Sequence, residues 1–151
     1  MNQRGHIESQ QKLSSAYTES VLEILEDHAH KPSQVYPALA DPVTLADGGA
    51  AWTQGALTEI IPASTITDIF DIHFAFVSEP DANDDYQIDF YYGASDTWLC
   101  NIAFSRSGVW SSSISLPVQS PRVAANSRIR AKLATGDGGR TCKVKVYYHD
   151  Y

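Results

Sequence analysis

The stretch that decides the fold lies at residues 66–77 and has the sequence ITDIFDIHFAFV. One side of this stretch is apolar except at Asp68, and it carries Ile66, Phe70, Ile72, Phe74 and Phe76. The other side carries Thr67, Asp71 and His73. A period of two with one apolar side is typical of a strand in an antiparallel sheet, with one face on a core and one face in water.

The same alternation recurs towards the end of the chain. Further strands are predicted at 56–61, 86–93, 97–105, 112–118, 127–134 and 141–148, with a short edge strand at Val43–Leu45. Within 97–105, the alternation places Trp98, Cys100, Ile102 and Phe104 on the inward face. Turn residues separate these strands, and no helical pattern interrupts them. The sequence therefore predicts a mainly β protein, with an antiparallel β-sandwich or jelly-roll-like domain at 56–151.

A short helix is predicted before the β-region, at 14–30. Its apolar stripe at helical spacing consists of Tyr17, Val21, Ile24, Leu25 and His28. A helix of this length is marginal alone in water, so we expect the stripe to serve oligomerisation or attachment. The chain is thus divided into an arm and helix at 1–31, a Pro/Gly-rich linker at 32–55 and the β-sandwich at 56–151.

The charge distribution argues against nucleic acid as a partner. The net charge is −7, and residues 1–120 hold four basic and sixteen acidic residues, which gives −12. A general nucleic-acid binder needs cations for the phosphates. The sequence has no apolar run long enough to span a membrane, and its polar N-terminus lacks the apolar core of a signal peptide. We expect no membrane contact and synthesis in a cytoplasm, where the two cysteines, Cys100 and Cys142, remain thiols.

The C-terminal stretch, residues 126–151, is predicted to be a β-hairpin with one basic face. That interaction face consists of Arg128, Arg130, Lys132, Lys143 and Lys145. Like charges opposite one another destabilise a sheet, so acidic partners are expected. They would come either from the same domain, with Asp89 and Asp71 as candidates, or from another subunit.

Motifs for catalysis and cofactor binding are absent from the sequence. His73 and Asp71 share one strand face, but no nucleophile motif accompanies them, and the five histidines are dispersed. The acidic turn EPDANDD at 79–85 has oxygen ligands for calcium but not the EF-hand spacing, and turns favour Asp and Asn in any case. The sequence predicts no enzyme, no metal and no cofactor. Trp52 and Trp110 lie in or near loops and are candidates for a glycan platform.

Three stretches resemble structural domains of tailed bacteriophages. They are YQIDFYYG at 86–93, PVQSPRVAANSRIRAKLATGDGG at 117–139 and KVKVYYHDY at 143–151. The resemblance covers roughly residues 56–151 and is to β-sandwich proteins of the capsid decoration (cement) or head-fibre type. It rests on strand texture, so it assigns no functional residue.

The resemblance implies a non-enzymatic protein of the virion, made in the host cytoplasm. Such a protein would contact the major capsid protein or another virion component through its N-terminal segment, with the sandwich pointing outward. The apolar stripe of the predicted helix further predicts a homotrimer, because a closed symmetric assembly would bury it. The alternative is a carbohydrate-binding or receptor-binding, lectin-like module of a tail or fibre.

Overall fold

The computed structural model describes residues 32–38, 40–109 and 113–151. These residues form β-strands and no helix. The helix predicted at 14–30 lies outside the described residues. Among the described residues, none belongs to a helix with the length and hydropathy needed to cross a membrane.

Nine strands run through the described part of the chain in two antiparallel sheets. They are β1 (Gln34–Tyr36), β2 (Val43–Ala46), β3 (Thr58–Ile61), β4 (Phe70–Ser78), β5 (Asp84–Tyr92), β6 (Thr97–Arg106), β7 (Ile114–Pro117), β8 (Ile129–Thr135) and β9 (Thr141–Asp150). The five-stranded sheet has the order β1-β9-β4-β7, with β2 also paired to β9. The four-stranded sheet has the order β3-β8-β5-β6. The prediction of a mainly β protein with antiparallel sheets is confirmed.

The strand order is that of a jelly roll. Strands β2, β9, β4 and β7 form one layer, and β3, β8, β5 and β6 form the other. The chain crosses between layers at every connection from β2 to β9 except the one from β5 to β6. One apolar cluster contains residues of both sheets, including Phe70 and Val144 from the first and Phe90 and Leu133 from the second. The sheets therefore enclose a common core, as in a double Greek-key sandwich.

The predicted hairpin at 126–151 is corrected by this topology, because β8 pairs with β3 and β5 whereas β9 pairs with β1, β2 and β4. Both strands direct their apolar side chains into the core, but they do so from opposite sheets. The glycine-rich connection between them crosses from one sheet to the other. At Gly138 the backbone has a φ of +83°, and a Cβ would lie 2.5 Å from the carbonyl carbon of Ala50. Only glycine fits this crossing without strain.

A β-bulge in β4 changes which side chains face the core. Ile72 pairs with Tyr148 and Phe74 pairs with Tyr147, so His73 is the extra residue. Beyond the bulge, Ala75 and Val77 are buried, whereas Phe74 is 40% exposed. The predicted inward positions of Phe74 and Phe76 are therefore wrong, because one inserted residue reverses the alternation.

A second bulge lies in β6. Phe90 pairs with Cys100 and Tyr91 pairs with Trp98, which leaves Leu99 as the extra residue. Leu99 is buried and Trp98 is exposed, contrary to the predicted inward position of Trp98. Cys100, Ile102 and Phe104 do lie in or against the core, as predicted.

The segment predicted as a linker, 32–55, takes part in the sheet. β1 and β2 both lie in this segment, and both pair with β9 along the same edge. The short strand expected at Val43–Leu45 corresponds to β2. Prolines are typical of linkers, but here Pro32 and Pro37 lie on either side of β1 and Pro42 lies just before β2. Each of the two strands pairs on one edge only in the described structure.

Asp47, directly after β2, holds the connection from β8 to β9 in place. Its carboxylate accepts hydrogen bonds from the backbone N–H groups of Gly139 and Arg140, at 2.9 and 3.0 Å, and from the hydroxyl of Thr135. Burial raises the pKa of Asp47, but these hydrogen bonds and one from Gly49 outweigh burial and bring the pKa below its ordinary value. The crossing connection is thus fixed by a charged acceptor.

Truncation of a core side chain will test the packing. Leu133 in β8 is fully buried at the centre of the core. We expect Leu133→Ala to lower the free energy of unfolding by roughly 2–5 kcal/mol, because it removes buried methyl groups and leaves a cavity. Val109→Ala is the control, since Val109 is 92% exposed and its truncation should leave stability unchanged. Equal denaturant midpoints for the two variants would contradict this core.

Candidate functional site

Two histidines and one aspartate from distant parts of the chain meet on the outer face of the five-stranded sheet. Asp71 and His73 project from β4, and His149 projects from β9, where it is paired with Asp71. Nε2 of His73 lies 2.9 Å from Oδ1 of Asp71, and the two imidazole ring centroids are 3.8 Å apart. One nitrogen or carboxylate oxygen from each residue lies within 4.8 Å of those of the other two. Such a set is able to exchange protons or to bind a metal ion.

Three further residues surround this histidine cluster, defined as Asp71, His73 and His149. The hydroxyl of Ser33 is hydrogen-bonded to Nε2 of His149 at 2.6 Å. Tyr151 donates its hydroxyl to Oδ2 of Asp71 at 2.7 Å, and the guanidinium of Arg122 lies over the Tyr151 ring. The hydrogen bond to Asp71 raises the pKa of Tyr151, and burial adds to this shift. Tyr151 therefore remains a hydrogen-bond donor to the carboxylate at neutral pH.

A pocket of about 260 Å³ opens beside Asp71 and His73. It is lined by residues 71–74 of β4 and by residues 117–120, which are the last residue of β7 and the segment that follows it. The hydroxyl of Ser120 accepts a hydrogen bond from the N–H of Ile72 and donates one to the carbonyl of Pro121. Ser120 thus links the segment after β7 to β4. Both hydrogen bonds of its hydroxyl are made with backbone groups rather than with a histidine.

The outer face of the four-stranded sheet carries a second polar group, around the buried carboxylate of Asp89 on β5. Three side chains donate neutral N–H groups to it: Gln54 at 2.5 Å, Gln87 at 3.2 and 3.3 Å, and the Trp98 indole at 3.5 Å. Asp89 is only 4% exposed, whereas Trp98 is 56% exposed. This face therefore offers an open aromatic ring next to fixed hydrogen-bonding groups.

The predicted basic interaction face does not exist as one surface. Arg128, Arg130 and Lys132 belong to the four-stranded sheet or its approach, whereas Lys143 and Lys145 belong to the five-stranded sheet. Three of the cations pair with carboxylates within the domain, which was one of the two expected outcomes, but these carboxylates are not the predicted Asp89 and Asp71. Arg130 and Arg128 pair with Asp96, and Lys143 pairs with Glu79 at 2.6 Å.

The last two cations contact aromatic rings. The ammonium of Lys132 lies 5.7 Å from the Tyr91 ring centroid, and that of Lys145 lies 4.7 Å from the centroid of Phe76. The Lys132 contact lies on the four-stranded sheet, and the Lys145 contact lies on the five-stranded sheet. The five cations therefore make their contacts on two opposite sheets of one domain.

The carboxylates of the acidic turn at 79–85 accept hydrogen bonds from other groups of the protein. The Asp81 carboxylate accepts from the Thr141 hydroxyl, Asp84 accepts from the N–H of Asp137, and Asp85 accepts from Ser105. These carboxylates stabilise the turns at this end of the sandwich, in agreement with the ordinary role of Asp in turns.

The remaining predicted residues are only partly placed by the structure. Trp52 is 56% exposed in the loop between β2 and β3, which agrees with its predicted loop position. Trp110 and the helix stripe of Tyr17, Val21, Ile24, Leu25 and His28 lie outside the described residues. Sequence reasoning missed Trp98 as an exposed ring and missed the approach of His149 to His73. The one available signal for the latter was that Asp71 and His73 share a face.

Both cysteines are free thiols, as expected. Burial, with a smaller contribution from Asp81, raises the pKa of Cys142 to about 12. Burial, with a smaller contribution from Asp89, raises the pKa of Cys100 to about 12. Since the thiolate is the reactive form and the metal ligand, neither cysteine is prepared for nucleophilic or metal chemistry at neutral pH.

No protein-family model matches the chain, and no curated protein matches it. A chain in the structure of infectious bursal disease virus, Gx strain, is similar over 80% of this chain with 13% identity and a TM-score of 0.38. The match spans 33% of that chain, so this protein covers about a third of its length. A similarity at this level carries no conclusion about activity or partners.

The thiol of Cys142 should make stability depend on pH in the alkaline range. Below pH 9 the thiol is protonated in both the folded and the unfolded states, so it contributes no pH dependence. Above pH 9 the unfolded chain releases this proton while the folded chain holds it up to about pH 12, so stability falls as pH rises. Between pH 8 and pH 10 the wild type should lose about 1 kcal/mol more than Cys142→Ala in denaturant titrations.

The control for this measurement is Val144→Ala, which truncates a buried neighbour on the same strand face but keeps the thiol. It should be less stable than the wild type at every pH and still show the alkaline loss. A wild type and a Cys142→Ala variant with parallel pH profiles would show that the thiol does not titrate differently on unfolding.

Proposed function

We propose that the protein is a non-enzymatic structural component of a phage virion, which decorates or projects from the capsid. The observation that carries this proposal is the jelly-roll strand order, with β2-β9-β4-β7 facing β3-β8-β5-β6. This fold recurs in viral capsid domains and in lectins. The resemblance of residues 86–93, 117–139 and 143–151 to tailed-phage structural domains supports the same class. Both arguments are made from the fold, so the experiments below test assembly directly.

In this proposal residues 1–31 attach the protein, and the sandwich from Pro32 onwards is displayed. The sandwich supplies its own core from both sheets, and several of its charged side chains, among them Arg130 and Lys143, pair within the domain. The protein partners are further copies of the chain and the major capsid protein or another virion component. Nucleic acid and membrane are not partners, and the site of action is the virion after synthesis in the host cytoplasm.

Sedimentation will test the trimer that this proposal contains. We expect the full chain to sediment as a homotrimer at tens of micromolar, because a closed symmetric assembly would bury the stripe of Tyr17, Val21, Ile24, Leu25 and His28. Leu25→Asp should shift the protein towards a monomer, since it places a charge in that interface. Glu26→Gln, next to the stripe, is the matched control and should remain trimeric. A monomeric wild type that also fails to co-sediment with assembled capsids would contradict the proposed role.

A specific observation favours a second candidate function, which is glycan binding. Trp98 is exposed on β6 beside the Asp89 carboxylate, whose position is fixed by the amides of Gln54 and Gln87. An open aromatic face packs against the C–H groups of a sugar ring. The polar side chains of Gln54 and Gln87, which the buried Asp89 carboxylate holds in place, would orient the sugar hydroxyls. In this second proposal the platform lies on the four-stranded sheet, whereas the candidates from the sequence were Trp52 and Trp110.

A glycan array with two matched variants will test this candidate. Trp98 and Trp52 are equally exposed, so their alanine variants remove the same ring from a sheet and from a loop. We expect Trp98→Ala to abolish glycan binding and Trp52→Ala to preserve it. Loss only in Trp52→Ala would move the platform to the loop, and a wild type without any glycan signal would contradict the candidate function.

A further inference from the structure

The histidine cluster combines three metal-ligating side chains in a place that the sequence did not predict. Asp71 and His73 come from β4, and His149 comes from β9, more than seventy positions later in the chain. The three are brought together by the register of β9 against β4 and by the bulge that inserts His73 between two paired positions. The backbone pairing of two strands therefore fixes the relative positions of all three residues.

We propose that Asp71, His73 and His149 bind a divalent transition-metal ion of the Zn²⁺ class. Two imidazole nitrogens and one carboxylate are a donor set that zinc accepts, and it differs from the all-oxygen set that calcium and magnesium require. The site lies outside the proposed virion attachment and outside the glycan platform.

The distances fit this ion after small rotations of the side chains. Ligand atoms on one tetrahedral zinc ion lie roughly 3.3 Å apart, given zinc–ligand bonds of about 2.0–2.2 Å. Oδ1 of Asp71 and Nε2 of His73 are already 2.9 Å apart, and each of the three residues offers one ligand atom within 4.8 Å of the other two. The pocket beside Asp71 and His73 leaves room for a water molecule or a further ligand at the fourth position.

The surroundings of the cluster have the features of an outer shell of metal ligands. The Ser33 hydroxyl is bonded to Nε2 of His149, so binding of the ion through Nδ1 would let this hydrogen bond remain. Tyr151 donates to Oδ2 of Asp71 and leaves the other oxygen directed at His73. Hydrogen bonds of this kind orient metal ligands and raise metal affinity.

The three side chains of the cluster are more buried than polar residues that meet by chance on a protein surface. His149 is 9% exposed, and the side chains of Asp71 and His73 are 13% and 31% exposed. The other metal-ligating groups in the described part of the chain are less suited to bind zinc. Burial keeps the thiols of Cys100 and Cys142 protonated. The carboxylates of the acidic turn already accept hydrogen bonds from protein donors.

The experiment uses the full chain with ZnCl₂ in a buffer free of phosphate and chelators. We expect one zinc ion per chain by equilibrium dialysis and a rise in Tm of roughly 5–10 °C at a zinc concentration about a hundredfold above Kd. His73→Gln should abolish both effects, and Asp71→Asn should weaken binding at least tenfold. Mg²⁺ at the same concentration should leave Tm unchanged, because it binds oxygen ligands and keeps its waters.

The control variant is Asp137→Asn, which removes a carboxylate that is 74% exposed in the connection from β8 to β9 and is not part of the histidine cluster. It should bind zinc as the wild type does. His149→Gln should also abolish binding, but because His149 is buried, the deciding variant is His73→Gln, whose Tm without zinc should match that of the wild type. Absence of a zinc-dependent shift in the wild type, or zinc binding by His73→Gln equal to the wild type, would overturn the proposal. Loss of binding in Asp137→Asn would place the ion elsewhere and would overturn it as well.

Discussion

Strand β9 is the constraint on which the five-stranded sheet depends, because both of its backbone edges are hydrogen-bonded. β4 pairs along one edge, and β1 and β2 share the other. Its inward side chains, Cys142, Val144, Val146 and Tyr148, belong to the core. A slip of one residue would move all four to the outer face, so burial fixes the register. The same register sets His149 opposite Asp71, which means that core packing on one face of β9 positions the polar cluster on the other.

The class of fold was predictable from the sequence because alternation is a local property. The strands around Ile72, Ile88 and Leu133 could each be recognised from a few neighbouring residues. Sheet membership was not predictable in this way. Two arrangements are compatible with the apolar faces at Ile129–Leu133 and Cys142–Val146: a hairpin, and two strands in facing sheets. In both arrangements these faces meet the core. The glycine-rich connection fits both arrangements too, so only the pairing with β3, β5 and β4 decides between them.

The candidate sites were predictable only in part, for a related physical reason. A bulge inserts one residue and reverses the alternation beyond it, and nothing local distinguishes Phe74 from Ala75 or Trp98 from Leu99 as the inward residue. The common strand face of Asp71 and His73 followed from their spacing. The approach of His149 did not, because it depends on the register between strands that are far apart in the chain. Long-range register is set by the sum of core contacts rather than by any motif.

The two candidate sites lie on opposite outer faces of the sandwich, and this arrangement makes a structural role compatible with a binding role. The histidine cluster is built on β4 and β9 of one sheet, and the Trp98–Asp89 group is built on β5 and β6 of the other. Both sites stand on paired strands, which hold side chains more rigidly than loops do. A protein displayed in an assembly has to bury one surface against its neighbours and keep another in water. Two chemically different faces, separated by a common core, satisfy that requirement, since a partner that covers one sheet leaves the other sheet open to a ligand.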